Sequence, residues 1–439
     1  MTTEAATVSR DAPPASPHTD GKYAPPREDG VVRRDLRYYT TAVVVRAVGV
    51  AVTSVALPMV ALIELRASVV ETSALVAART APSVVTALVA GAVVDRYRRL
   101  PVLLWGRTCG AVILAAVPLA AMKGMLSMPL LYAVAFLLAA VNDLCGTASA
   151  SYLPVLVGTE LTSVNARVWA LWACAQTAGK NLAVGLVALT GTGRAILADV
   201  AAYLISAACF ARIRTAEPKP QSRGCKSTMR AEIRSGLRYT RTDPVVWRLL
   251  LCTTAMNLAM TAWDALLLVF LFLHLHWSPL TVGVVLGCGG IGGAVGALAA
   301  PSGQRRCGAR RLMLGALGLQ PLAMLPVLMA GPGSAGPYVI GAAVAVWSGA
   351  TNAYASTQRA VRQSLCIPAY QGRQQSVATW ISVAPCTVAA LAAGQLGELI
   401  GLRPALALAA VASVSGFVLL VCSPAHLWHI NLGKSIARA

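Results

Sequence analysis

The stretch Ala405-Leu-Ala-Leu-Ala-Ala-Val-Ala-Ser-Val-Ser-Gly-Phe-Val-Leu-Leu-Val-Cys422 runs 18 residues without a charge. Such a run is long enough to cross the hydrocarbon core of a bilayer as a helix, at about 30 Å and roughly 20 residues per span. Working back from it, comparable runs recur at nearly even spacing. In the second half they cover about 248–273, 279–300, 312–330, 338–357 and 376–399. In the first half they cover about 38–62, 70–94, 101–121, 129–153, 168–190 and 195–211. The pattern predicts an all-α polytopic membrane protein of about twelve transmembrane helices.

Composition agrees. Only 12% of the 439 residues are charged and 56% are hydrophobic, with a mean hydropathy of +0.65. Soluble domains carry about 25% charged residues, so too little polar surface remains to face water. The net charge of +20 does not point to nucleic acid, because the basic residues sit in short segments between apolar runs rather than on one stripe. With the amino terminus placed inside, 29 of the 37 Lys and Arg fall in inner segments. Arg66, Lys123, Arg194 and Arg403 fall outside and four lie within spans. The bias predicts an even helix count, with both termini on the cytoplasmic side of a cell membrane. The 11 cysteines have no CxxC spacing and read as apolar fillers. Neither a metal nor a cofactor is expected.

Residues 1–36 are polar and Pro-rich and read as a disordered cytoplasmic tail. The basic segment 212–247 then divides the chain into six-helix halves, 37–211 and 248–422, with 423–439 as a second tail. Its stretch Glu232-Ile-Arg-Ser-Gly-Leu-Arg238 has the spacing of a surface helix. Weak symmetry between the halves suggests a transporter built from repeats. Pro154 is placed at the end of the fourth helix, and the Gly-rich stretch 287–296 is read as packing between halves.

The segment Gly91-Ala-Val-Val-Asp95-Arg96-Tyr97-Arg98-Arg99 resembles the inner-loop signature of the Major Facilitator Superfamily. Gly91, Asp95, Arg96 and Arg99 match that signature, and Arg98 stands in place of its second glycine. Further features resemble the drug and siderophore exporter branch, which includes macrolide-efflux-like proteins. They are Val55-Ala-Leu-Pro58, Tyr152-Leu-Pro-Val-Leu-Val157, Leu161-x-x-x-Asn165-Ala166, the 232–238 stretch and Pro368-Ala-Tyr-Gln-Gly372-Arg373. The resemblance implies two pseudo-symmetric bundles rocking about a central cavity lined mainly by helices one, four, seven and ten. It also implies that Asp95 latches the outward-facing state, and that a small organic compound is exported, with a proton as coupling ion. Antiporters of the family usually carry Gly-Pro in helix five, where this chain has Gly179-Lys180. Whether Lys180 abolishes antiport is left open.

Ionisable residues inside spans are costly and by default mark function. Asp143 and Asp264 are the candidates for proton coupling, because a carboxylate in a partly dry cavity holds its proton more tightly. Asp143 has a structural alternative, neutralising Lys180 or Arg46. Asp264 has no basic partner in its own half. Arg46, Arg79, Asn142, Lys180, Asn257, Trp263, Tyr354 and Gln358 are the candidates for lining the substrate cavity. Arg107 is expected to snorkel to the inner surface or to pair with Asp95. There is no nucleotide-binding motif, no clustered aspartate motif and no intramembrane histidine. An enzyme is therefore not expected. The expected partners are a small-molecule substrate, a proton and the lipid bilayer, with the protein working as a monomer.

Overall fold

The computed structural model describes residues 29–86, 97–157, 161–215, 217, 237–238, 240–330, 336–365 and 371–423. Among them there are twelve long helices and no strand. In chain order these are α1 (Asp29–Ile63), α2 (Val69–Thr80), α3 (Arg99–Met122), α4 (Met128–Val157), α5 (Leu161–Thr190) and α6 (Thr192–Ala211). The second half contains α7 (Pro244–Val269), α8 (Pro279–Cys307), α9 (Ala309–Met329), α10 (Gly336–Leu365), α11 (Gln371–Leu399) and α12 (Leu402–Val421). Nine of the described helices are long and apolar enough to cross a membrane. The other three are α2, described over only 12 residues, and the more polar α5 and α10.

Local chemistry sets the helix starts. At α2 the Ser68 hydroxyl accepts from the Glu71 N–H at 3.2 Å, and the Glu71 carboxylate accepts from the Ser68 N–H at 2.8 Å. This capping box satisfies two backbone donors that a helix end leaves open. Asp243 caps α7 and Ser278 caps α8, each followed by a proline at the first helical position. Gly191 and Gly401 take φ of 84° and 92°, which favours glycine. They make the tight α5–α6 and α11–α12 connections, equivalent places in the two halves.

The packing repeats with a shift of six helices. In the first half α1 packs on α5 and α6, α3 on α4 and α6, and α2 on α4. In the second half α7 packs on α11 and α12, α9 on α10 and α12, and α8 on α10. The halves meet along α2–α11 and α5–α8. Large apolar side chains such as Trp105, Val112 and Leu119 of α3 lie exposed at successive double turns, as a lipid-facing surface requires.

Several expectations are corrected. Residues 29–36 belong to α1 rather than to a disordered tail. The reason is Asp35, which is buried and accepts from the backbone N–H groups of Arg214 (3.0 Å) and Thr215 (2.8 Å) and from the Thr215 hydroxyl (2.7 Å). This anchors the first turns of α1 to the chain leaving α6. Pro154 lies inside α4, not at its end. The glycine stripe of α8 packs within its own half: a Cβ at Gly292 or Gly296 would fall on the backbone of α10 at Ala345 or Gly349. Most of 212–247 and of 423–439 lies outside the described residues.

Candidate functional site

Polar side chains gather in the first half around a half-open cavity of about 180 Å³. Arg46, Thr53, Arg79, Asn142, Asp143, Asp199 and Tyr203 line it. Arg46 of α1 is ion-paired with Asp199 of α6, which also accepts from the Thr53 hydroxyl. A second guanidinium contact to Asp199 measures 3.3 Å, and the guanidinium lies 3.5 Å over the Tyr203 ring. The buried charge is thereby paired and stacked, as a low-dielectric interior demands.

Arg107 does not snorkel. It is buried and donates to the Asn142 side-chain oxygen at 3.3 Å, an oxygen that also accepts from the Tyr203 hydroxyl at 3.2 Å. Asp143 is paired with neither Lys180 nor Arg46. It accepts from the hydroxyls of Ser83 (2.8 Å) and Thr86 (2.6 Å). Pro82 interrupts helix two just before these residues, and Ser83–Thr86 resume as helix. Asp143 thus holds the resumed segment against α4. Nothing in the charge pattern pointed to Ser83, Thr86 or Tyr203; the only signal was Pro82 followed by two hydroxyls three residues apart.

Three further charges face a shared space between the halves. Arg79 of α2, Lys180 of α5 and Asp264 of α7 all have exposed surface. Arg79 also lines the cavity described above. Asp264 lies within Coulombic reach of both Lys180 and Arg79. Its basic partners therefore come from the opposite half. Among the described residues neither Arg79 nor Lys180 makes a hydrogen bond or an ion pair.

The apolar cores define the state of the fold. At the end where α1 finishes and α2 begins, one continuous cluster joins both halves, from Leu57, Val60 and Leu75 to Trp263, Leu266 and Leu406. At the end where α1 begins and α12 finishes there are two separate clusters. One, around Tyr39, Tyr152 and Phe210, belongs to the first half. The other, around Leu249, Met313 and Tyr354, belongs to the second. Among the described residues the apolar core is fused across the halves at one end and split into two clusters at the other, while Trp380 of α11 donates to the Val84 carbonyl of the first half at 3.1 Å between them.

A family model described as Major Facilitator Superfamily matches residues 40–384. The chain belongs to the Major Facilitator Superfamily. It is a multi-pass membrane protein of the secondary-transporter type. Among solved structures, it is similar to a mutant of the nucleoside transporter NupG, with a TM-score of 0.72, 13% identity, 88% of this chain and 99% of that one covered. It is similar to a bacterial homologue of the iron transporter ferroportin in its inward-facing state, with a TM-score of 0.65, 16% identity and coverage of 89% and 98%. It is also similar to the human organic anion transporter MFSD10, with a TM-score of 0.65, 15% identity and coverage of 89% and 99%. At these identities the likeness is one of fold. No curated protein sequence matches the chain.

Of the superfamily signature, Gly91, Asp95 and Arg96 lie outside the described residues. Arg99 opens α3, and its backbone N–H donates to Glu217 at 2.8 Å while its guanidinium lies 3.6 Å from the same carboxylate. The remaining cavity candidates on α7 and α10 are drawn elsewhere. Trp263 is buried in the shared core, 6.3 Å from Trp347 between ring centroids. Tyr354 is buried in the second half's separate core with its hydroxyl 3.2 Å from that of Thr253. Gln358 is buried too. Asn257 donates to the Ser382 carbonyl at 3.2 Å and ties α7 to α11. Both aromatics sit on the expected helices but point into packing. Among the described residues no group of His, Cys, Asp or Glu is placed to hold a metal.

Proposed function

We propose that the chain is a secondary active exporter of a small organic compound, working by rocker-switch alternating access as a monomer in the cytoplasmic membrane. The observation that carries this reading is the asymmetry of the cores, fused at one end and split at the other around a charged cavity. With both termini cytoplasmic, as the inner-segment bias of Lys and Arg requires, the split end faces inward. A substrate then enters from the cytoplasm, and reversal of the split delivers it outside. Proton antiport is the coupling we propose. Asp264 is its carrier, because it is the carboxylate in the shared space and has no hydrogen-bond donor among the described residues. Asp143, held by two hydroxyls, is the structural member of the original pair.

The test is counterflow and pH-jump transport in proteoliposomes of defined orientation. Substrate release should be driven by an opposing proton gradient, and Asp264→Asn should keep counterflow while losing gradient-driven accumulation. Binding without exchange in the wild type would make the protein a membrane sensor and overturn the proposal. Accumulation running with the proton flow would make it an uptake carrier.

A further inference from the structure

The charges at membrane depth do not cancel. Arg46 and Asp199 neutralise each other, and Arg107 sits in the same cluster, within Coulombic reach of Asp199. Counted over the spans, Arg46, Arg79, Arg107 and Lys180 stand against Asp143, Asp199 and Asp264. The shared space between the halves then holds two cations, Arg79 and Lys180, against one carboxylate, Asp264. One positive charge is left over, in a place where an uncompensated charge is costly. Among the described residues neither cation spends its donors on the protein.

Local structure fixes both of them there. Arg79 lies in the last turn of α2, just before Pro82 breaks the helix, and its neighbour Thr80 bonds Thr387 of α11 at 2.9 Å. Lys180 follows Gly179, whose missing side chain lets α5 close on α1: a Cβ there would lie 2.7 Å from the Val48 carbonyl oxygen. The adjoining volume of about 180 Å³ falls below the range of about 300–1,000 Å³ for sites that take drug-sized ligands. It suits one small ring with one polar group.

We infer that Arg79 and Lys180 form an anion-binding subsite beside the cavity that Arg79 lines, and that its ligand is a small organic monoanion, a carboxylate or phosphodiester, for which Asp264 is the resident competitor. The inference rests on the transporter reading for its consequence but not for its binding chemistry. A monoanion brings the cross-half charge to zero. It also takes over the two cations that Asp264 otherwise attracts, so ligand arrival relaxes the electrostatic tie between α7 and the α2–α5 wall.

The experiment uses the full-length protein purified in detergent and reads thermal stability with four single-ring probes: benzoate, methyl phenyl phosphate, benzamide and benzylamine. Benzoate and methyl phenyl phosphate should raise Tm, while benzamide and benzylamine should not. Arg79→Gln and Lys180→Gln should each weaken benzoate binding about ten- to a hundredfold, the worth of one charge-assisted hydrogen bond. Arg79→Lys and Lys180→Arg should retain the benzoate shift, which separates loss of charge from misfolding. Asp264→Asn should tighten benzoate binding, because the competitor is gone. Equal shifts from benzamide or benzylamine, no shift from any probe, or weakened benzoate binding in Asp264→Asn would each overturn the inference. Benzoate binding without counterflow would refute the transporter reading and leave the subsite standing.

Discussion

Replacing Gly394 with alanine should change the balance between conformations, whereas the same change at Gly292 should change only stability. A Cβ at Gly394 of α11 would lie 2.5 Å from the Ser73 Cβ, 2.8 Å from its Oγ and 3.3 Å from the Val70 Cα of α2. Two of these distances are shorter than packed atoms tolerate, and a Cα cannot swing away as a side-chain tip can. Overpacking of this kind costs about 1–3 kcal/mol. The cost falls only on the state in which the fused ends of α2 and α11 touch, where Glu398 also accepts from the Val70 N–H at 3.2 Å. The equilibrium therefore moves toward the opposite state by roughly five- to 150-fold. At Gly292 the added Cβ would meet the Ala345 backbone of α10. That seam lies inside one half and is common to both states, so the penalty lowers Tm without shifting the equilibrium. Spin labels at exposed Met125 and Met329 report the fused end, and labels at Tyr97 and Cys307 report the split end. Pulsed distance measurements on Gly394→Ala should lengthen the first pair and shorten the second. Distributions unchanged from wild type in Gly394→Ala, or moved in Gly292→Ala, would refute the reasoning.

Asp199→Ala leaves Arg46 buried without its carboxylate and should cost about 3–5 kcal/mol, read as a collapse of Tm and of expression. The double change Arg46→Met with Asp199→Leu should recover most of the loss. Asp143→Ala removes the acceptor of two hydroxyls and should destabilise by about 1–3 kcal/mol; Asp143→Asn should retain much of that stability, checked by the same melting assay. Asp35→Ala deprives two backbone N–H groups of their acceptor, so hydrogen exchange at Arg214 and Thr215 should quicken while exchange in α9 stays unchanged. Asp95→Ala should abolish flux while leaving expression intact, as the latch that the family resemblance implies requires. Normal flux in that variant would dismiss Asp95 as a latch.

The helix order was legible because it rests on two one-dimensional signals, apolar runs and the placement of Lys and Arg, that survive without any knowledge of contacts. What the runs could not convey was which face of a helix points where. Trp263 sits on α7, which has almost no apolar periodicity, so its direction was not legible, and it is buried in packing; Tyr354 sits on the amphipathic α10 and is buried as well. Charge partners were illegible for a related reason. Arg46 and Asp199 are 153 positions apart, and three aspartates competed for four cations by residue count alone. The partners of Asp143 carry no charge at all. The glycine stripe of α8 signalled a close approach but not whether to α5 or α10, since α8 touches both.

The scaffold is symmetric and its polar interior is not. Each of the main packing contacts of the first half has its counterpart in the second, yet six of the seven charged residues at membrane depth lie in the first half and only Asp264 in the second. Symmetry of the backbone supplies two states of similar energy, because exchanging the roles of the two halves exchanges which end is fused. Asymmetry of charge then makes the states distinguishable to a ligand. Electrostatic communication across the cavity must pass through the single carboxylate on α7, since no other charge at that depth belongs to its bundle. On the transporter reading proposed above, the first half is the binding body, and the second is the moving wall that senses occupancy through one side chain.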